Sequence, residues 1–237
     1  MKKRILLICA THGDERIGLE TVAVLERKGY ADKFDYLIAN PEALKMGMRF
    51  FECDLNRSYP GSEKSEIYKE RRAYKILSVA KKYEYVIDMH EASSGINDFI
   101  IIPKKRLCKS FPIDLIGLET VLLWPEPKGP LGQFLENAIE LEFGMKNRKR
   151  EEVTTEAVSV VEKFIKDINK NDVKKSLSQK KIYRVYGKLM TDDFSGDISE
   201  LKDFEEVDID GEKFFPLLVG QYLENKIVCY KIKIAGS

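Results

Sequence analysis

Residues 4–10 (RILLICA) form a continuous apolar run, which predicts a strand buried on both faces, where no polar alternation is needed. Residues 16–28 then repeat apolar positions at helical spacing through Ile17, Val24 and Leu25, and Gly29 stops the helix. A second strand fits 34–40 (FDYLIAN) and a second helix about 63–82, through Ile67, Tyr74 and Leu77. Further strands fit 84–89 (YEYVID), 98–102 (DFIII), 120–124 (TVLLW) and 138–143 (AIELEF). Residues 153–168 space Val153, Ala157, Val160, Phe164 and Ile168 as one helical face. Strands alternating with helices predict an α/β fold, a mostly parallel mixed sheet flanked by helices.

The pattern changes after residue 168. The stretch "KNDVKKSLSQKK" is polar and charged, as a linker would be. Beyond it, "IYRVYGKLM", "FFPLLVG" and "IVCYKIKI" alternate without helical periodicity, which predicts a small β unit. The expected organisation is an α/β domain over residues 1–172 and a small β domain over 181–237. No internal repeat or low-complexity tract interrupts it.

Composition narrows the partners. The chain has 237 residues, 43% of them apolar and 33% charged, which describes a soluble globular protein with a sizeable core. Forty basic residues against 39 acidic ones leave a net charge of +1, so no global field recruits nucleic acid or an anionic membrane. A small-molecule partner attracted by local charge fits better, and homo-oligomerisation is left open. The four cysteines, Cys9, Cys53, Cys108 and Cys229, form no CxxC pair, and a reducing cytoplasm is the simplest setting. "MKKRILLICA" imitates the start of a signal peptide, but its apolar run is too short and ends in "THGDER".

The candidate chemistry gathers at strand ends. The chain has two histidines: His12 follows the first predicted strand, and His90 in "VIDMHEASSG" follows another. In open parallel sheets, ligands bind beyond the carboxyl ends of strands, so both imidazoles can reach one crevice. His12 and Glu15 are three residues apart, a spacing that aims a nitrogen and an oxygen at one point. With His90 they make two imidazoles and a carboxylate, the ligand set of several catalytic zinc sites that leave a fourth position for water. Taken singly, His-x-x-Glu is more often a helix start with Glu15 favouring the dipole, and His90 a satisfied core histidine. In "MRFFECDLNRSYPG", residues 48–61, the Arg57 fork beside the Asn56 amide suits a small carboxylate, and Asp54 suits orienting a ligating histidine. The bland alternative is a surface loop with an Asx turn. Glu140 and Glu142 point to one side of their strand, and both would face solvent if that strand were an edge. Trp124, Phe50 and Phe51 read as core or pocket wall, and "KNRKREE" at 146–152 as a solvated loop.

Together, "THGDE", "NPEAL…RFFECDLNR", "IDMH" and "IELEFG" resemble the aspartoacylase and succinylglutamate desuccinylase family of the zinc-carboxypeptidase-like superfamily, in order and approximate spacing, over roughly residues 4–145. The resemblance implies a zinc-dependent amidohydrolase with one Zn2+ per chain, held by His12, Glu15 and His90. It implies that Glu142 is the catalytic glutamate, that Arg49 polarises the scissile carbonyl, and that Asn56 and Arg57 hold the substrate's carboxylate. Asp54 matches the partner of a zinc histidine, and Tyr222 the tyrosine that reaches over the site from a β domain covering it. Family members that act on N-acetylaspartate grip its side chain with a tyrosine and an arginine. In "PEPKGPLGQFLENA" the only basic residue is Lys128, the candidate substitute. "EFG" is followed by "MKNRK" without the usual prolines. The expected substrate is a small N-acylated amino acid or related carboxylate. A metallocarboxypeptidase acting on short peptides, or a zinc-binding protein without catalysis, are the competing readings.

Overall fold

The computed structural model describes residues 4–52, 54–103, 111–125, 130–168 and 180–235. Strands β1 (Ile5–Cys9), β2 (Phe34–Ile38), β3 (Tyr85–Ala92), β4 (Phe99–Pro103), β5 (Thr120–Trp124), β6 (Ala138–Gly144), β7 (Lys181–Met190), β8 (Val207–Ile209), β9 (Glu212–Leu217) and β10 (Ile227–Ile234) join in one sheet. Helices α1 (Ile17–Arg27), α2 (Pro41–Met46), α3 (Tyr68–Ala80) and α4 (Arg150–Asp167) accompany them. The strand order is β2-β1-β3-β6-β4-β5-β7-β10-β9-β8. The pairs β1/β2, β1/β3, β3/β6, β4/β5 and β5/β7 are parallel. The pairs β4/β6, β7/β10, β9/β10 and β8/β9 are antiparallel. The sheet is therefore mostly parallel and mixed, as the alternation of elements predicts.

The apolar run of β1 shows why this order forms. Ile5, Leu7 and Cys9 point into a core shared with Ile17 and Leu25 of α1 and with Val153, Ala157 and Phe164 of α4. Leu6 and Ile8 point the other way, toward Ala73, Ile76 and Leu77 of α3. A strand covered by helices on both faces has no polar face to spare, and each fully buried Leu or Ile contributes about 1.5–3 kcal/mol. The C-terminal strands extend the same sheet, β7 lying parallel to β5 from Thr120↔Lys181 to Leu123↔Arg184. The expected linker falls almost wholly at 169–179, outside the described residues.

Several local expectations change. The helix expected over 63–82 starts at Tyr68, since Ser62 to Ile67 form turns and Ile67 is extended. A short helix, α2, escaped the apolar periodicity, although "NPEAL" carries its start signal: Asn40 accepts from the Ala43 amide, and Pro41 follows. β3 runs three residues past the expected end, so His90 lies within a strand rather than after it. Pairing with β6 continues as far as Ala92↔Gly144 and carries the strand past the polar residues. Part of the expected solvated loop at 146–152 is the first turn of α4, and Arg148 is fixed by Asp98 at 2.6 Å. Phe50 is exposed and not core, whereas Trp124 is buried against Tyr230. Among the described residues no helix is long and apolar enough to cross a membrane.

Candidate metal centre and active site

Because β1, β3 and β6 are parallel neighbours, their carboxyl ends share one edge of the sheet. His12 follows β1, His90 lies near the end of β3, and Glu142, two residues before the end of β6, is the direct cross-strand neighbour of His90. Glu142 is thus on an interior strand, which removes the edge-strand alternative. The residue is half-buried and lines a cavity.

The two imidazoles present the same nitrogen to the same carboxylate. His12 Nδ1 lies 2.6 Å from Glu15 Oε1, and His90 Nδ1 lies 2.9 Å from Glu15 Oε2. One ligand atom from each of the three residues lies within 4.8 Å of the others, and all three residues are buried. The outer nitrogens face carboxylates: His12 Nε2 is 3.3 Å from Asp54 Oδ1, and His90 Nε2 is 3.3 Å from Asp88 Oδ2. The second pair is close but poorly aligned, so neither atom has a hydrogen bond. Converging nitrogens backed by outer carboxylates are what a metal-binding histidine pair requires, so these residues fit a divalent ion with nitrogen and oxygen ligands.

Electrostatics agree. Burial works against charge on His12, but Glu15 and Asp54 outweigh it and hold the imidazole up at about 9. Burial likewise opposes charge on His90, yet Asp88 and Glu15 keep it well above the usual range. The carboxylate of Glu15 is held far below its ordinary value, His12 and His90 overcoming its burial. The same carboxylates that favour positive charge on the two rings would favour a divalent cation between them, with both imidazoles then neutral.

Local sequence explains the placement. Gly13 packs so closely on α2 that a Cβ there would sit 2.1 Å from the Ala43 carbonyl carbon, and its amide donates to the Arg49 carbonyl at 3.0 Å. One glycine therefore ties "THGDE" to the loop that carries Arg49. Glu91, next to His90, accepts from the Arg16 and Ile17 amides at 2.6 Å each, which fixes the start of α1 to β3. Thr11 donates to Asp88 Oδ1 at 2.9 Å. Asp88 and Thr11 were missed in the sequence, although Asp-x-His on a strand places both side chains on one face.

The cavity above these groups is lined by His12, Arg49, Asp54, Asn56, Arg57, His90, Ile101, Trp124, Pro130, Glu140, Glu142, Leu218 and Tyr222. Of the residues singled out in the sequence, His12, His90, Arg49, Asp54, Asn56, Arg57, Glu142 and Tyr222 meet there, with Glu15 directly beneath. Lys128 lies outside the described residues. Asp54 Oδ1 accepts from the Asn56 amide at 2.8 Å, an Asx turn, and lies 3.3 Å from His12 Nε2. Arg49 Nη1 donates to Glu15 Oε1 at 2.9 Å. Tyr222 comes from the loop before β10, anchored where Gln221 Oε1 accepts from the Ser94 amide at 2.8 Å. Burial pushes its hydroxyl pKa up, so it remains a donor. Glu142 is pushed up to about 7, chiefly by burial, with Glu15 adding to the effect and His90 opposing it. Glu140, which the sequence reading gave no role, is pushed up to about 8 by burial and by Asp88 and Glu142.

Residues 1–168 match the sequence profile of the succinylglutamate desuccinylase/aspartoacylase catalytic domain. The chain belongs to this family. A probable aspartoacylase of Prochlorococcus marinus (strain AS9601) is 30% identical over 118 residues, 44% of this chain and 39% of that protein. A succinylglutamate desuccinylase of Pseudomonas paraeruginosa (strain DSM 24068 / PA7) is 28% identical over 166 residues, 59% of this chain and 50% of that protein. The matched segments thus span 39% to half of these relatives' lengths. The fold is shared with the crystal structure of succinylglutamate desuccinylase from Chromobacterium violaceum, at a TM-score of 0.77 and 18% identity over 99% of this chain and 85% of that one. Murine aminoacylase 3 also shares it, at a TM-score of 0.69 and 17% identity over 98% and 95% of the two chains. In this succinylglutamate desuccinylase/aspartoacylase family member, the profile ends with α4, so the C-terminal strands that carry Tyr222 lie beyond it.

Proposed function

We propose that the protein is a zinc-dependent amidohydrolase that removes the acyl group from a small N-acylated amino acid or related carboxylate. The supporting observation is the convergence of His12 Nδ1 and His90 Nδ1 on Glu15 in a cavity that also holds Glu142, Arg49 and Arg57. Zinc held by His12, Glu15 and His90 would supply Lewis acidity, polarising the acyl carbonyl and lowering the pKa of water.

The chain's own groups then divide the work. The carboxyl of Glu142, with its pKa raised to about 7, takes a proton from the attacking water when ionised. Water oxygen bonds to the acyl carbon, the C–N bond breaks, and Glu142 returns the proton to the departing nitrogen, so acid and amine are released in balance. Arg49, held positive by Glu15 despite its burial, donates to the carbonyl oxygen as negative charge develops there. Asn56 and Arg57 bind the carboxylate of the amino acid, and the Tyr222 hydroxyl donates from the opposite wall. Asp54 orients His12, and Asp88 places a carboxylate beside the outer nitrogen of His90.

Metal analysis of the purified protein, with turnover on a panel of N-acyl amino acids and short peptides, tests this reading. One zinc per chain, lost in His90→Ala, and turnover of acyl amino acids ahead of peptides is the expected result. Full zinc occupancy in His90→Ala would remove the ligand assignment, and faster release of C-terminal residues from peptides would make the protein a carboxypeptidase.

A further inference from the structure

Once the proposed roles are assigned, one buried acid in the cavity is left over. Arg49 is engaged by Glu15, Arg57 faces the substrate carboxylate, and Glu142 handles the proton. Glu140 has only 5% of its surface exposed and lines the same cavity. It stands two residues before Glu142 on the inward face of β6, between Asp88 of β3 and Ile101 of β4. No hydrogen bond to its carboxyl is found among the described residues, and the charges acting on it are those of His90, Asp88, Glu142 and Arg57, in that order.

Buried structural carboxylates are normally hydrogen-bonded or paired, because an unpaired one is costly. A carboxyl with no hydrogen bond among the described residues, with Asp88 and Glu142 beside it and open to a cavity in which His90 and Arg57 already have assigned roles, is complementary to a cation that arrives with the ligand. Arg57 and Asn56 line the same cavity as Glu140, so this carboxyl shares it with the groups assigned to the amino-acid part of the substrate. We propose that Glu140 is the specificity-determining residue of the pocket and selects an ammonium group on the side chain of the N-acylated amino acid. An acidic side chain placed there meets Glu140 and Glu142 and is repelled. This inference rests on the deacylase reading and names the substrate class for it: acylated basic amino acids in place of acyl-aspartate or acyl-glutamate.

The test pairs turnover with binding. In the zinc-supplied protein, kcat/KM is measured for Nα-acetyl-L-ornithine, its des-amino analogue Nα-acetyl-L-norvaline and Nα-acetyl-L-glutamate, in the wild type, Glu140→Gln and Glu140→Asp. Calorimetry on the same proteins measures binding of free ornithine, norvaline and glutamate. The wild type should favour ornithine over norvaline by at least ~30-fold in both measurements, the scale of losing one partner of a buried charge pair. Glu140→Gln should reduce that ratio to a few-fold, and Glu140→Asp should retain part of it, a pattern that general loss of structure does not produce. Equal treatment of ornithine and norvaline, a preference for glutamate, or a ratio unchanged in Glu140→Gln would overturn the inference. If no acyl amino acid is hydrolysed but calorimetry shows a Glu140-dependent preference for ornithine, the deacylase reading falls and the cation site stands. If calorimetry shows no such dependence, the cation site falls whatever the turnover.

Discussion

At the scale of single residues, Glu142 and Arg57 carry the sharpest expectations. Glu142→Gln keeps shape and hydrogen-bonding reach but cannot take a proton. Turnover should fall by about two to four orders of magnitude while zinc content and thermal stability stay close to wild type. Wild-type turnover in this variant would assign the proton to another group. In the proposed reading Arg57 presents a fork for a carboxylate beside the Asn56 amide, and a site built for such a group rejects analogues lacking it. An acyl-amino acid and its α-carboxamide should therefore differ by at least ~100-fold in kcat/KM, and Arg57→Lys should not restore the difference, because a point charge cannot replace the fork. Equal rates for acid and amide would refute this role. Both residues were legible in the sequence through "IELEFG" and "DLNR". Asp88 and Glu140 were not, because a carboxyl on a strand looks alike whether it faces solvent, a histidine or a cavity.

At the scale of elements, the site depends on how tightly α2 sits against the turn after β1. Gly13 has the Ala43 and Leu44 backbone within 2.1–2.5 Å of where a Cβ would be. Gly13→Ala must therefore push α2 or the His12 turn aside, since backbone cannot rotate away as a flexible side chain can. A loss of about 1–3 kcal/mol in stability is expected from such overpacking, together with weaker zinc retention against a chelator. Unchanged stability and unchanged retention would show that the turn and α2 are not coupled. The requirement is visible in "THGDE" only as a glycine, and the sequence does not reveal which backbone it must admit. α2 itself was missed for a related reason. A helix of six residues is too short to show a hydrophobic period, and its identity lies in the Asn40 cap and Pro41.

Across the whole molecule, α1 and α4 are held together over the sheet by Glu162 as well as by their apolar faces. Glu162 accepts from Lys166 at 2.6 Å and from the Tyr30 hydroxyl at 2.9 Å, and also pairs with Lys28 at the end of α1. Its pKa is lowered from 4.5 to about 2, chiefly by Lys166 and then Lys28. A depressed folded-state pKa means stability that is fully present above pH 4.5 and is lost as the pH falls toward about 2. Glu162→Gln should cost about 1 kcal/mol near neutral pH, since solvent screens much of the attraction, and the gap between variant and wild type should shrink steadily below pH 4.5. Urea denaturation of both proteins between pH 7 and pH 3 measures it. A gap that does not narrow with acid would show that these contacts add no charge-dependent stability.

The sequence by itself determined most of the elements and named the candidate ligand set. A fully apolar β1 needs helices on both faces, the 3.6-residue period sets α1 and α4, and two imidazoles with one spaced carboxylate form a set able to hold a divalent ion. These are local properties, decided by backbone periodicity and by what a side chain can donate or accept. Tertiary structure decided what depends on adjacency across the sheet. Placing β6 between β3 and β4 put Glu142 opposite His90 and closed off the solvent that an edge strand would have given it. It brought Asp54 to the outer nitrogen of His12, brought Tyr222 to the cavity from a strand system continuous with β5, and buried Glu140 with no hydrogen bond among the described residues. Those relations come from strand order, and the order is fixed by which faces the helices cover, a long-range result that no stretch of residues contains.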